Sequence, residues 1–164
     1  MTITNLANCV QTLQSTIVSI LKANTTSLTF THADDTTDTR SLSEMKIMDG
    51  VPTGLIKGTA FDYIIVHTPE MDSSRLTMTK HKTELTVHIE ITGKMEGNVR
   101  ILTDAVIDAL KDAEPTTKAS GYWWYGRRIR SNLNYTYLPQ ENNVAKAVWH
   151  MDIFLTYLWT GGNN

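Results

Sequence analysis

Between Lys82 and Thr92 the chain reads KTELTVHIEIT, an unbroken alternation. Leu85, Val87, Ile89 and Ile91 fall on one side, and Thr86, His88, Glu90 and Thr92 on the other. A period of two with one apolar and one polar side fits an antiparallel strand with one wet face; a helix would bring its faces round every ~3.6 residues. Such a strand needs neighbours, and the sequence supplies them. In VAKAVWHMDIFLTYLW (144–159), Trp149, Met151, Ile153, Leu155, Tyr157 and Trp159 occupy alternate positions. Residues 122–138 also suit a strand, with Ile129, Leu133, Tyr135 and Tyr137 on one side. Only PQENN (139–143) separates the two runs, so they pair most simply as a long hairpin. TAFDYIIVHT (59–68) alternates as well, and SLTFTHA (27–33) makes a short strand with Leu28 and Phe30 on one face.

Two segments follow a helical period instead. Leu6, Val10, Leu13, Ile17, Ile20 and Leu21 recur at steps of mostly three and four, with Thr4 or Asn5 as a cap and Asn24-Thr25-Thr26 as the end. Cys9 lies beside this apolar line as a small core residue. In residues 98–115, Val99, Leu102, Val106 and Leu110 form a second line, with Asn98 as the expected cap and Pro115 as the expected stop. The polar stretches at 34–45 and 69–80 are expected to be mobile loops, and 160–164 a loose tail. The whole is an α+β fold in a single domain over 1–164: a mostly antiparallel sheet, two helices packed on one face and a long C-terminal β-hairpin. The other sheet face must then be wet or covered by a second subunit.

Composition narrows the function. The net charge of -2 and pI near 6.2 create no global field for DNA or an anionic membrane, so any nucleic-acid contact must come from a local patch. A single cysteine excludes an intrachain disulfide and argues against a cysteine-based zinc site. No apolar run has the length of a membrane span, and the start lacks the pattern of a signal peptide, so an intracellular soluble protein is expected. His32, Asp34, Asp35 and Asp38 do not follow a calcium-loop spacing and are expected to be solvated. His88 and His150, with Asp152, can be neighbours on polar strand faces and are expected to be surface residues. Glu84 and Glu90 are expected on a solvated strand rim. No nucleophile elbow, phosphate loop or paired cysteine and histidine frame is present, so neither enzyme chemistry nor a cofactor is expected.

The stretch GYWWYGRRIRS (121–131) carries the one local signal. Tyr122, Trp123, Trp124 and Tyr125 stand together, and Arg127, Arg128 and Arg130 follow. Arg128 and Arg130 share a strand face, and Arg127 points the other way. Three readings are open: a base-stacking platform with phosphate-holding arginines, a protein contact surface, or ordinary core.

The order of elements resembles the tail terminator (tail completion) proteins of long-tailed bacterial and archaeal viruses. An N-terminal amphipathic helix and a strand–loop region are followed by AFDYIIVHTPE, by TELTVHIEITG running into NVRILTDAVIDALKD, and by the closing pair RRIRSNLNYTYLPQ and AVWHMDIFLTYLW. The resemblance covers nearly the whole chain and is one of order and texture. It implies a non-enzymatic virion protein without cofactors, assembled in the host cytoplasm as a ring, typically a hexamer. The ring would cap the tail tube protein, meet the head–tail connector protein and let genomic DNA pass its lumen, with no membrane involved. Under it, Tyr122, Trp123, Trp124, Tyr125, Arg127, Arg128 and Arg130 form an oligomer or partner interface. A head–tail connector or stopper, or a tail tube subunit, shares much of the pattern. A single-stranded nucleic-acid-binding module is the alternative of another class, and a small enzyme the third.

Overall fold

Alternation places residues 82–92 at the centre of the molecule. The computed structural model describes residues 6–32, 34–50, 63–75, 81–93, 95–137 and 145–159. The chain runs α1 (Leu6–Ala23), β1 (Ser27–Thr31), β2 (Thr37–Ser41), a short 3-10 turn (Leu42–Glu44), β3 (Lys46–Asp49), β4 (Tyr63–Val66), β5 (Glu70–Arg75), β6 (His81–Gly93), α2 (Glu96–Asp112), α3 (Glu114–Ala119), β7 (Tyr122–Tyr137) and β8 (Ala145–Trp159). The main sheet has the order β3-β4-β6-β8-β7, and β5 pairs with β6 beyond the end of β4. Among the described residues only β3 and β4 run parallel, and the other pairs are antiparallel. β7 and β8 form the expected hairpin, paired from Tyr122 opposite Trp159 to Tyr137 opposite Ala145 with one shift of register between Trp124 and Gly126. The turn expected at 139–143 lies outside the described residues, as do the caps expected at Thr4 or Asn5 and the tail at 160–164.

The apolar sides of β6 and β8 meet the helices. Leu85, Val87, Ile89 and Ile91 on β6, and Ile153, Leu155 and Tyr157 on β8, are fully buried. α1 packs over β3 and β4, α2 over β6 and β8, and the two helices touch each other. Leu13, Ile17 and Leu21 of α1 and Val99, Leu102, Val106 and Leu110 of α2 face inward, as their spacing requires. Cys9 is buried among them, and burial raises its thiol pKa. Gln14 is a polar member of the same face; its amide Nε2 donates to the Val66 carbonyl at 2.9 Å, which fixes α1 against β4.

Four expectations are corrected. Residues 34–45 are not a structureless loop: β1 and β2 form a hairpin around Asp35, whose φ is 62°, and Leu42 and Met45 are buried anchors. Asp34 accepts from both the amide and the hydroxyl of Thr36, holding the turn. No side chain of β2 is fully buried, so the strand pairs through its backbone and leaves no apolar period to read. β5 likewise occupies much of the loop expected at 69–80 and pairs along β6, with Glu70, Met71 and Asp72 exposed; residues 76–80 lie outside the described residues. Finally, Asn98 is not the cap of α2, which begins at Glu96 after Met95. Asn98 is buried, accepting from the Thr31 amide at 3.0 Å and donating to the Thr31 carbonyl at 2.9 Å. Pro115 does not close a helix either; it stands in the first turn of α3, where its missing N–H costs nothing.

Candidate functional site

The side of the sheet away from the helices carries the polar residues of β6 and β8, and they are organised. His88 of β6 lies opposite Phe154 of β8, and Phe154 lies opposite Arg128 of β7. The His67 amide donates to the His88 carbonyl at 2.9 Å, extending this row beyond β4. The side chains stack across the strands. The His67 and His88 rings lie 4.4 Å apart and nearly parallel, and His88 and Phe154 lie 4.7 Å apart in the same way. The Arg128 guanidinium then stands 4.8 Å from the Phe154 ring centre, with that of Arg130 at 5.9 Å. Cation–π attraction fixes both guanidiniums at the end of the row.

A network of acids and histidines runs beside the stack. His67 Nε2 lies 3.2 Å from one carboxylate oxygen of Glu90, and His150 Nδ1 lies 3.3 Å from the other. His88 Nε2 lies 2.8 Å from Asp152. The hydrogen bond with His150 is the largest influence on Glu90; against the opposing effect of burial, and with His67, it holds the carboxyl at about 2. Glu90 is thus half-buried and doubly partnered, not a solvated rim residue. Arg130 lies directly opposite Asp152. His88 engages one oxygen of Asp152, and no ion pair joins Arg130 to the same carboxylate. Among the described residues Arg127, Arg128 and Arg130 have no carboxylate within ion-pair distance. Arg128 and Arg130 border an open depression of about 720 Å³ with His67, His88, Glu70 and Phe154 in its walls. Among the described residues no group of three or more His, Cys, Asp or Glu side chains is arranged to hold a metal ion.

The residues expected to form an interface divide along β7. Tyr122 is wholly buried, and its hydroxyl donates to the Cys9 carbonyl at 2.7 Å. It is a core residue, which corrects its expected place on a contact surface: it lies opposite Trp159 on the helix side of the sheet. Trp124 is half-buried against Tyr157, with its indole N–H donating to the Gly126 carbonyl at 3.2 Å. Trp123 is 50% exposed and Tyr125 63% exposed. A β-bulge explains the division, because the register shifts between Trp124 and Gly126 and leaves Tyr125 as the extra residue. Beyond the bulge the parity of the strand is reversed. Arg128 and Arg130, opposite Phe154 and Asp152, therefore share the open face with Trp123, opposite Leu158. Arg127 and Ile129 turn to the helix side, where Ile129 is still 41% exposed.

The stacked row was not read from the sequence. His88 and His150, with Asp152, stood there as possible neighbours among surface residues, and His67 was one strand position among others. The usable signal was the alternation itself, which puts His88, His150 and Asp152 on the polar sides of β6 and β8; the side that His67 shares with Tyr63 and Ile65 carried no such signal.

No protein-family model matches the sequence, and no curated protein matches it. Among solved structures the chain is similar to one in the structure described as the virion of a native gene transfer agent particle, at 15% sequence identity and a TM-score of 0.52. The match covers 93% of this chain and 98% of the other. At this identity the likeness is one of fold. No helix among the described residues is long and apolar enough to cross a membrane.

Proposed function

We propose that this chain is a non-enzymatic structural protein of a virion that assembles as a ring, with a hexamer as the expected size. The ring caps a tail tube and joins it to the head connector. The observation that carries the reading is the fold match to a chain of the gene transfer agent virion over nearly the full length of both. The architecture agrees with it. One sheet face is covered by helices, while β7 stands at the sheet edge with large side chains exposed, including Trp123 and Tyr125. Such surfaces are covered by a neighbour when subunits assemble. Native mass measurement with negative-stain imaging tests the reading. A hexamer-sized ring that binds one end of a purified tail tube is expected; a monomer at every concentration, inert toward tubes and connectors, would count against it. Decoration along the tube would instead favour a tube subunit, and binding to connectors alone a stopper.

A second reading rests on one observation: Trp123 shares the open face with Arg128 and Arg130. An exposed indole beside two guanidiniums that have no carboxylate partner among the described residues can stack on a base and hold phosphates. Salt-dependent retention on single-stranded DNA by the monomer would favour it.

A further inference from the structure

Building on the ring reading, we propose that the subunit contact joins the arginine edge of β7 in one copy to a row of aspartates on α2 in the next. The arginine edge is unsatisfied: the histidines engage Glu90 and Asp152, and among the described residues Arg127, Arg128 and Arg130 have no carboxylate within ion-pair distance. A guanidinium anchored on a ring with its N–H groups unused is suited to bidentate capture of a carboxylate. The same chain carries the complementary row. Asp104, Asp108 and Asp112 succeed one another at four-residue intervals on α2, all three are exposed, and none has a cationic partner among the described residues. Like charges at this spacing destabilise an isolated helix, so the row gains from a cation that its own subunit does not supply.

The two rows match in repeat. Four residues of helix advance about 6 Å, and two residues of strand advance about 6.7 Å. Arg128 and Arg130 can therefore meet two successive aspartates with the helix laid along the strand. Beside the aspartates lies a depression of about 400 Å³ with Leu28, Ile101 and Ala105 in its walls. Trp123, 50% exposed on the same open face as Arg128 and Arg130, supplies an apolar side chain for this depression. The contact thus combines an apolar centre with a charged rim. Because the two patches are different parts of one subunit, the contact is head-to-tail, and repeating it closes a ring when the rotation allows. A nucleic-acid strand is the competing occupant of the arginines. Glu70 in the wall of the same depression and the net charge of -2 disfavour it, whereas the aspartate row is a partner present in every copy.

Charge exchange tests the pairing. Native mass is measured for the wild type, for Arg128→Glu with Arg130→Glu, for Asp104→Arg with Asp108→Arg, and for an equal mixture of the two variants; thermal melts confirm that each is folded. The wild type is expected to assemble. Each variant alone is expected to weaken assembly by about tenfold or more, and the mixture to restore it, because every contact then pairs opposite charges again. If the wild type assembles and either variant does so equally well, or the mixture fails to recover, the pairing is wrong while the ring reading stands. If the wild type stays monomeric with and without tubes and connectors, the ring reading fails and the pairing with it. If the arginine variant keeps its mass but loses salt-dependent retention on single-stranded DNA, the arginines serve nucleic acid and the pairing is overturned.

Discussion

Tyr122 and Tyr157 bring the same phenol into the same core, and burial raises the pKa of both hydroxyls. They differ in what the hydroxyl finds. Tyr122 donates to the Cys9 carbonyl, whereas the Tyr157 oxygen is buried with no hydrogen-bond partner among the described residues. Removing a made hydrogen bond costs ~1 kcal/mol, while removing an unsatisfied buried hydroxyl is neutral or stabilising. Tyr122→Phe is therefore expected to lower stability by ~1 kcal/mol and Tyr157→Phe to leave it unchanged or raise it, as read from denaturant midpoints. Glu90 sets a pH dependence. Its carboxyl, ordinarily near 4.5, titrates at about 2 in the folded chain. Between those values the unfolded chain binds more protons, so this contribution to stability is complete above about pH 5 and is lost as pH falls toward 2. Glu90→Gln should be less stable by ~1–3 kcal/mol near neutral pH, with the gap closing toward pH 2. A parallel pH profile for the two proteins would refute the assignment.

At the scale of elements, the strands with one buried side were legible and the others were not. β6 and β8 alternate because burial on one face selects apolar residues at every second position, and that selection can be read. β2 and β5 are held by backbone pairing to neighbours, which selects nothing periodic, so TDTRS and EMDSSR looked like loop. Asn98 misled for a related reason. An asparagine before an apolar line normally caps a helix, but here α1 and α2 leave a place beside β1 where the Thr31 backbone needs partners, and tertiary demand overrode local preference. Asn98→Ala should accordingly cost ~2–3 kcal/mol, more than an ordinary cap, because two hydrogen bonds are lost and the Thr31 groups are left unpaired. Amide exchange in β1 and β2 should rise with it; unchanged protection there would show that the side chain is not what joins the hairpin to α2. The open-face row was legible in part. Alternation placed His88, Glu90 and Asp152 on one side, but the neighbours of each depend on sheet order and on the bulge at Tyr125, and neither is written in a local pattern.

For the whole molecule, the two faces of the sheet differ in what they leave undone. The helix face is closed by α1 and α2, and its polar members, Gln14 and Asn98, are bonded to backbone. On the open face Glu90 and Asp152 are engaged by histidines, whereas among the described residues Arg128 and Arg130 have no carboxylate partner, and the strand that carries them is an edge. Trp123 lies on this side, 50% exposed, with the Lys118 ammonium 5.3 Å from its ring. A large ring held outside the core contributes little to the stability of one subunit but much to a contact, where buried aromatics often account for 2 kcal/mol or about thirty-fold in affinity. Trp123→Ala is therefore expected to leave the melting temperature of the isolated subunit nearly unchanged while weakening self-association by about that factor, read from mass against concentration. Tyr122→Phe, one residue away but inside the core, should do the reverse. If Trp123→Ala instead preserves assembly and abolishes binding to single-stranded DNA, the aromatic is a stacking platform and the ring must be built from other surfaces.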